Sequence, residues 1–198
     1  MFYDFTRYLN IRSAIDAHFV RDSDRVGFLS DGSGNYQVWS GGLGGEATDI
    51  FPQQVSFLPD KVWELHVSAA GDLLAVSDAG GNENQQFYRI QIEKEATSSQ
   101  LQHSLQRLTQ HDDAIYRFGA WSADGAQLVY TCNERNPRDF DLWLMDLQNG
   151  ESRLLKQASG NRTIVDWSPD GRYVVSVDAL SSLYMELFLL DIESGEVR

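Results

Sequence analysis

One phrase recurs in this chain, and it narrows the possible folds more than any other feature. Trp121-Ser122-Ala123-Asp124-Gly125 returns 46 residues later as Trp167-Ser168-Pro169-Asp170-Gly171. Each copy follows one β-rich run and leads into a second, then a polar loop and a third. That period fits one four-stranded blade of a β-propeller, a unit that buries its faces only by stacking on its neighbours. Two degenerate copies lie upstream, around His66-Val67-Ser68-Ala69-Ala70-Gly71 and His18-Phe19-Val20-Arg21-Asp22-Ser23-Asp24. With Asp24, Gly71, Gly125 and Gly171 taken as equivalent, the steps are 47, 54 and 46 residues. The long step holds a polar insertion over residues 93–103, of the kind that maps to a surface loop and leaves a repeat intact.

The fold expected is therefore all-β: a propeller with four recognisable four-stranded blades and a short N-terminal helix. Phe5, Tyr8 and Leu9 have helical spacing over residues 4–13, with Asp4 as a cap, so residues 1–16 read as a helix and lead-in. Residues 17–198 read as blades, at about 17–52, 62–108, 114–156 and 162–198. The expected strands are 17–20, 26–29, 36–40 and 48–51 in the first blade, and 62–67, 73–77, 87–92 and 105–108 in the second. In the third they are 115–121, 127–131, 141–147 and 152–155, and in the fourth 163–167, 173–177, 186–192 and a strand starting at Val197. Val, Ile, Leu, Tyr and Trp dominate these runs, as half-buried pleated surfaces prefer. Because Arg198 falls inside the last of them, the ring is expected to be incomplete and the chain to be a fragment. Open blade edges would favour self-association.

The 198 residues suffice for a substantial core, and 42% hydrophobic composition places them among globular chains. A net charge of −13, with no Lys/Arg cluster, argues against a nucleic-acid partner. The N-terminus has no basic region followed by an apolar stretch, and no apolar run approaches a membrane span; no membrane partner and a cytoplasmic location are the expectation. Cys132 is the single cysteine, so no intrachain disulfide forms, and its place after an apolar strand favours a small partly buried side chain over a nucleophile.

Little in the motifs carries chemistry. No G-x-S-x-G elbow is present, and Gly32-Ser33-Gly34 and Ser159-Gly160 lack its spacing. His18, His66, His103 and His111 are scattered without metal-ligand spacing, and the paired aspartates fit turns better than a calcium loop. Gly42-Leu43-Gly44-Gly45 has no helix behind it and no lysine to hold phosphate. No catalytic residue, metal or cofactor is expected. What remains are the loops between second and third strands, residues 31–35, 78–86, 133–140 and 179–184, which should share one face of the ring. They carry Glu83, Asn84, Glu134, Arg135 and Arg138, the candidate binding residues.

The phrase from Trp167 to Val175 is similar to the blade signature of the TolB-like, PD40 (WD40-like) propellers. Tyr8-Leu9-Asn10-Ile11-Arg12-Ser13-Ala14, Phe28-Leu29-Ser30-Asp31, Gln37-Val38-Trp39-Ser40 and the stretch from Ser77 to Tyr88 resemble the start of serine hydrolases of the prolyl-oligopeptidase family. Within it they resemble the acylaminoacyl-peptidase and dipeptidyl-aminopeptidase-like branch. The resemblance implies an N-terminal propeller that caps a C-terminal α/β-hydrolase domain and admits only peptides or small esters to its catalytic serine. It covers the propeller alone, so no catalytic residue is carried over. An adjacent pair of glutamates, which some dipeptidyl peptidases use to hold a substrate amine, is absent. Two expectations follow: a substrate-gating propeller, inactive without its hydrolase domain, or a stand-alone TolB-like module that binds a protein partner.

Overall fold

The computed structural model describes residues 12–43, 52–92, 105–181 and 183–198. Strands come in chain order: β1 (Ala14–Val20), β2 (Arg25–Ser30), β3 (Gln37–Gly42) and β4 (Gln53–Gln54) form the first sheet. β5 (Val62–Val67), β6 (Leu73–Ser77), β7 (Gln86–Ile90) and β8 (Leu105–Arg107) form the second, and β9 (Tyr116–Trp121), β10 (Gln127–Cys132), β11 (Asp141–Asp146) and β12 (Ser152–Lys156) the third. The fourth has β13 (Arg162–Trp167), β14 (Tyr173–Ser181) and β15 (Tyr184–Asp191), and an outer strand begins where Val197 bridges Leu190. All pairs are antiparallel and join sequence neighbours, which is the meander of a propeller blade.

The recurring phrase makes the turn between the first two strands of a blade. Ser122 Oγ donates to Asp124 Oδ1 at 2.6 Å, and the same carboxylate accepts the Ala126 N–H at 3.0 Å. Gly125 takes φ +74°, a region open to glycine, and returns its N–H to the Ser122 carbonyl. Ser168, Asp170 and Gly171 repeat this arrangement, with Ser168 Oγ to Asp170 Oδ1 again at 2.6 Å. The hydroxyl bond, ahead of the backbone N–H, holds each of the two carboxyls below the usual range. In the degenerate second copy Ala70 replaces the aspartate, and Ser68 Oγ alone collects the Ala70 and Asp72 N–H groups.

Neighbouring sheets stack face to face, and each interface is one apolar core. Val20, Leu29 and Val38 meet Leu65, Leu73 and Ala75 between the first and second sheets. Leu74, Val76 and Phe87 meet Tyr116, Leu128 and Tyr130 between the second and third. Val129, Leu142 and Leu144 meet Ile164, Trp167 and Val174 between the third and fourth. The period of two along each strand does this: Leu73 and Ala75 face back, Leu74 and Val76 face forward. The sheets converge at their first strands, β1 on β5, β5 on β9 through the His66–Phe118 ring stack at 3.9 Å, and β9 on β13. All four first strands carry a bulge, at Asp16–Ala17, Trp63, Gly119 and Val165. The Gly119 bulge is what lets β13 approach: a Cβ there would fall 2.6 Å from Ile164 Cβ.

Several sequence expectations shift. The helix over residues 4–13 lies outside the described residues save for Arg12 and Ser13, which stand in irregular chain, and no helix occurs among the described residues. β1 begins at Ala14 and not at residue 17, because Ser13 is tied to Asp31 and to Tyr36 and so brings the chain into the sheet early. The insertion at 93–103 and the outer strand expected at 48–51 also lie outside the described residues, and the described outer strand of the first sheet is Gln53–Gln54. Among the described residues the ring is not closed, and the first and fourth sheets are the ends of the stack. No helix among the described residues is long and apolar enough to cross a membrane.

Candidate functional site

The loops between second and third strands end on one face of the stack, and in the second and third blades they are built as rigid turns. Asp78 accepts the Trp63 indole N–H at 2.7 Å and the Glu83 N–H at 3.0 Å. Burial works to raise the Asp78 carboxyl, but these bonds outweigh it and hold it below the usual range. Asp60 Oδ2 caps the Gly80 N–H at 2.6 Å. Glu83 is fixed in the left-handed region at φ +61°, a strained place for a side chain with a Cβ. It lines a recess of about 370 Å3 with Trp63, Gln85, Ile115 and Arg117. Trp63 and Arg117 come from the converging strands β5 and β9, so this recess lies where the sheets meet the axis.

The other candidates divide by role. Asn84 Nδ2 donates to the Asp112 carbonyl at 3.1 Å and ties its loop to the connection into the third blade. Glu134 faces His111 at 3.6 Å and lines two recesses away from the axis. One, of about 540 Å3, is floored by Tyr116, Tyr130 and Trp143; the other, of about 510 Å3, runs along Asn133 to Pro137. Arg135 is a structural residue: it grips Asp141 at 2.8 and 2.9 Å, Asp139 at 3.3 Å and the Ala158 carbonyl at 2.7 Å. The bond to Asp141 raises its guanidinium further above the usual range. Arg138 is exposed, and its backbone N–H rests on Asn136. The structure thus groups Glu83 at the axis and Glu134 with Arg135 outside it.

The fourth loop, over 179–184, is a correction. β14 runs to Ser181 and β15 starts at Tyr184, with Ala179 opposite Met185 and Ser181 opposite Tyr184. The apolar residues Ala179, Leu180, Tyr184 and Met185 extend the ladder where the other blades turn polar. Arg117 and Trp63, absent from the sequence candidates, are the additions at the axis. Their signal was weak, since each reads as an ordinary strand residue until the bulge re-aims it. Cys132 is buried in the core between second and third sheets, where desolvation pushes its thiol up to about 12. No cluster of metal-ligating side chains occurs among the described residues.

No family model and no curated protein matches the chain. Solved structures do. TolB from Acinetobacter baumannii aligns with a TM-score of 0.59 at 17% identity, over 94% of this chain and 43% of its own. Dipeptidyl peptidase 4 from Porphyromonas gingivalis aligns with a TM-score of 0.67 at 12% identity, over 94% of this chain and 25% of its own. Oligogalacturonate lyase from Vibrio parahaemolyticus aligns at 0.63 and 18%, over 91% and 50%. At such identities the likeness is one of fold. TolB and a dipeptidyl peptidase, the kinds of protein that its phrases resemble, are among these neighbours, and what they share with the chain is the propeller-like all-β fold. The chain spans between a quarter and a half of these proteins.

Proposed function

We propose that this chain is the substrate-gating propeller of a cytoplasmic serine peptidase or esterase of the prolyl-oligopeptidase family. In this reading it acts with a C-terminal α/β-hydrolase domain of the same protein and is inactive alone. The observation that carries it is the axis: first strands converge there, and Trp63, Glu83 and Arg117 stand together at one mouth. A mouth lined by fixed charged side chains sorts small peptides and esters by size and charge before they reach a nucleophile. The shared fold with dipeptidyl peptidase 4 supports this assignment. A stand-alone TolB-like module binding a protein partner is the second reading, supported by the alignment with TolB.

The test is the native protein. Immunoprecipitated from its own cells, it should be much heavier than the 22.4 kDa of this chain and should react with a fluorophosphonate serine probe. A native species of 22.4 kDa that the probe does not label would overturn the gate and favour the TolB-like module. The 198-residue chain alone should not turn over a fluorogenic acyl ester.

A further inference from the structure

The axial recess holds a cation that the fold leaves unneutralised. Arg117 sits over Phe140, its guanidinium carbon 3.7 Å from the ring centroid, and its one hydrogen-bond partner among the described residues is Asn161 Oδ1. No Asp or Glu oxygen lies within 4.0 Å of it among those residues. Arg89, Arg135, Arg162 and Arg172 each have a carboxylate within that range. The contrast shows in their titration: carboxylates raise Arg135 and Arg172, whereas burial alone lowers Arg117. A half-buried guanidinium is costly unless an anion faces it, and its planar fork matches the two oxygens of a carboxylate.

The walls around it are fixed. Trp63 is 44% exposed and gives the recess its apolar side. Lys61 Nζ sits 3.2 Å from the ring centroid and Asp78 holds the indole N–H, so the ring is set from two directions. Glu83, held in left-handed backbone by Asp78, stands on the same rim and repels anions, so a carboxylate is favoured only where it pairs directly with Arg117. The volume of about 370 Å3 suits two or three residues of extended peptide better than a folded partner.

We propose that this recess is a carboxylate subsite, in which Arg117 holds the free C-terminal carboxylate of a short peptide against Trp63. Calling that peptide a substrate rests on the gating reading; the binding itself does not. The subsite selects peptides by their end, and it positions them at the axis before any chemistry.

The test is calorimetric titration of the 198-residue chain with N-acetyl-trialanine as the free acid and as its C-terminal amide. The acid should bind about tenfold or more tightly than the amide, the range of a charge-assisted hydrogen bond lost. Arg117→Gln should remove that preference while leaving the amide unchanged, with an unaltered far-UV spectrum and melt. Acid and amide binding alike, neither binding, or a preference that survives Arg117→Gln overturns the subsite. N-acetyl-Ala-Asp-Ala-amide separates the two sources of a carboxylate. Its failure to bind supports the chain end; binding as tightly as the acid overturns the chain end in favour of a side chain. The two proposals fail separately: a probe-labelled native protein without the acid preference keeps the gate and loses the subsite, and the reverse result keeps the subsite alone.

Discussion

Two residues show how little room the stack leaves. Gly125 is needed for its left-handed φ and also for space, since a Cβ there would sit 2.5 Å from Ala70 N in the turn of the blade before. Gly119 has no positive φ, and its requirement is contact alone: the nearest atoms to an added Cβ are Ile164 Cβ and Cγ2, both at 2.6 Å. Gly119→Ala should therefore destabilise the chain by about 1–3 kcal/mol through overpacking, read as a lowered urea midpoint. An unchanged midpoint would mean that β9 and β13 are not held at this distance. The turn aspartates give a pH signature. Asp124 and Asp170 have carboxyls lowered in the folded state, so their contribution is present above the unfolded value near pH 4 and lost as pH falls through the folded values. Asp124→Asn with Asp170→Asn should flatten the acid limb of a pH–stability curve below about pH 4 and leave its slope at pH 7 unchanged.

At the scale of the element, each blade fastens itself to the next with one buried polar residue at the start of its third strand. Gln37 in the first accepts from Ser56 Oγ and Leu58 N and donates to the Leu58 and Asp60 carbonyls. Gln86 in the second accepts from Thr109 Oγ1 and Arg107 and donates to the His111 and Ala114 carbonyls. Asp141 in the third takes Arg135 and the Ala158 N–H. The three are 3%, 3% and 1% exposed, so each bond forms away from water. Gln86→Ala should cost about 1–3 kcal/mol by stranding Thr109 and the Ala114 carbonyl, more than Gln91→Ala on the outer rim, in thermal melts of both variants. Glutamine and aspartate in these places did not stand out in the sequence, because a buried latch and a solvated strand end use the same residue types. The strands expected for the two central blades hold to within two residues, since there the apolar period and the glycine turns agree. The 179–184 segment misled for the converse reason: Ser181 and its neighbours read as a polar turn, and pairing across a longer hairpin outweighed that local preference.

For the whole molecule the ends of the stack matter most. Leu187 and Leu189 hold the places on β15 that Leu142 and Leu144 hold on β11, as their pairing opposite Val177 and Val175, and Thr131 and Val129, shows. Leu142 and Leu144 are 1% and 5% exposed beneath the fourth sheet; Leu187 and Leu189 are 71% and 36% exposed. On the first sheet Phe19 stands 76% exposed where Trp167 of the fourth is 7% exposed. Two such apolar faces on one molecule are complementary surfaces, and they predict association that grows with concentration. Sedimentation velocity should show it for the 198-residue chain, and Leu187→Lys with Leu189→Lys should shift the distribution to monomer without lowering the melt. A chain that stays monomeric at high concentration would mean that these faces do not pair with each other.

The repeat, its length, the glycine turns and the alternation that gives each sheet two apolar faces can all be read from the order of residues alone. These follow from local chemistry: a strand has a period of two, and a tight turn needs a residue that tolerates positive φ. Loop position and polarity point to Glu83, which lines the axial recess, and equally to Arg135, which the fold commits to Asp141. Packing between the blades settles which polar residues are latches, that Trp63 and Arg117 line one recess, and that Arg117 faces no carboxylate among the described residues. Trp63 and Arg117 lie 54 residues apart in the chain, and even the latch partners, 6 to 28 residues apart, meet only through the course of the connecting loops, which the local pattern does not specify.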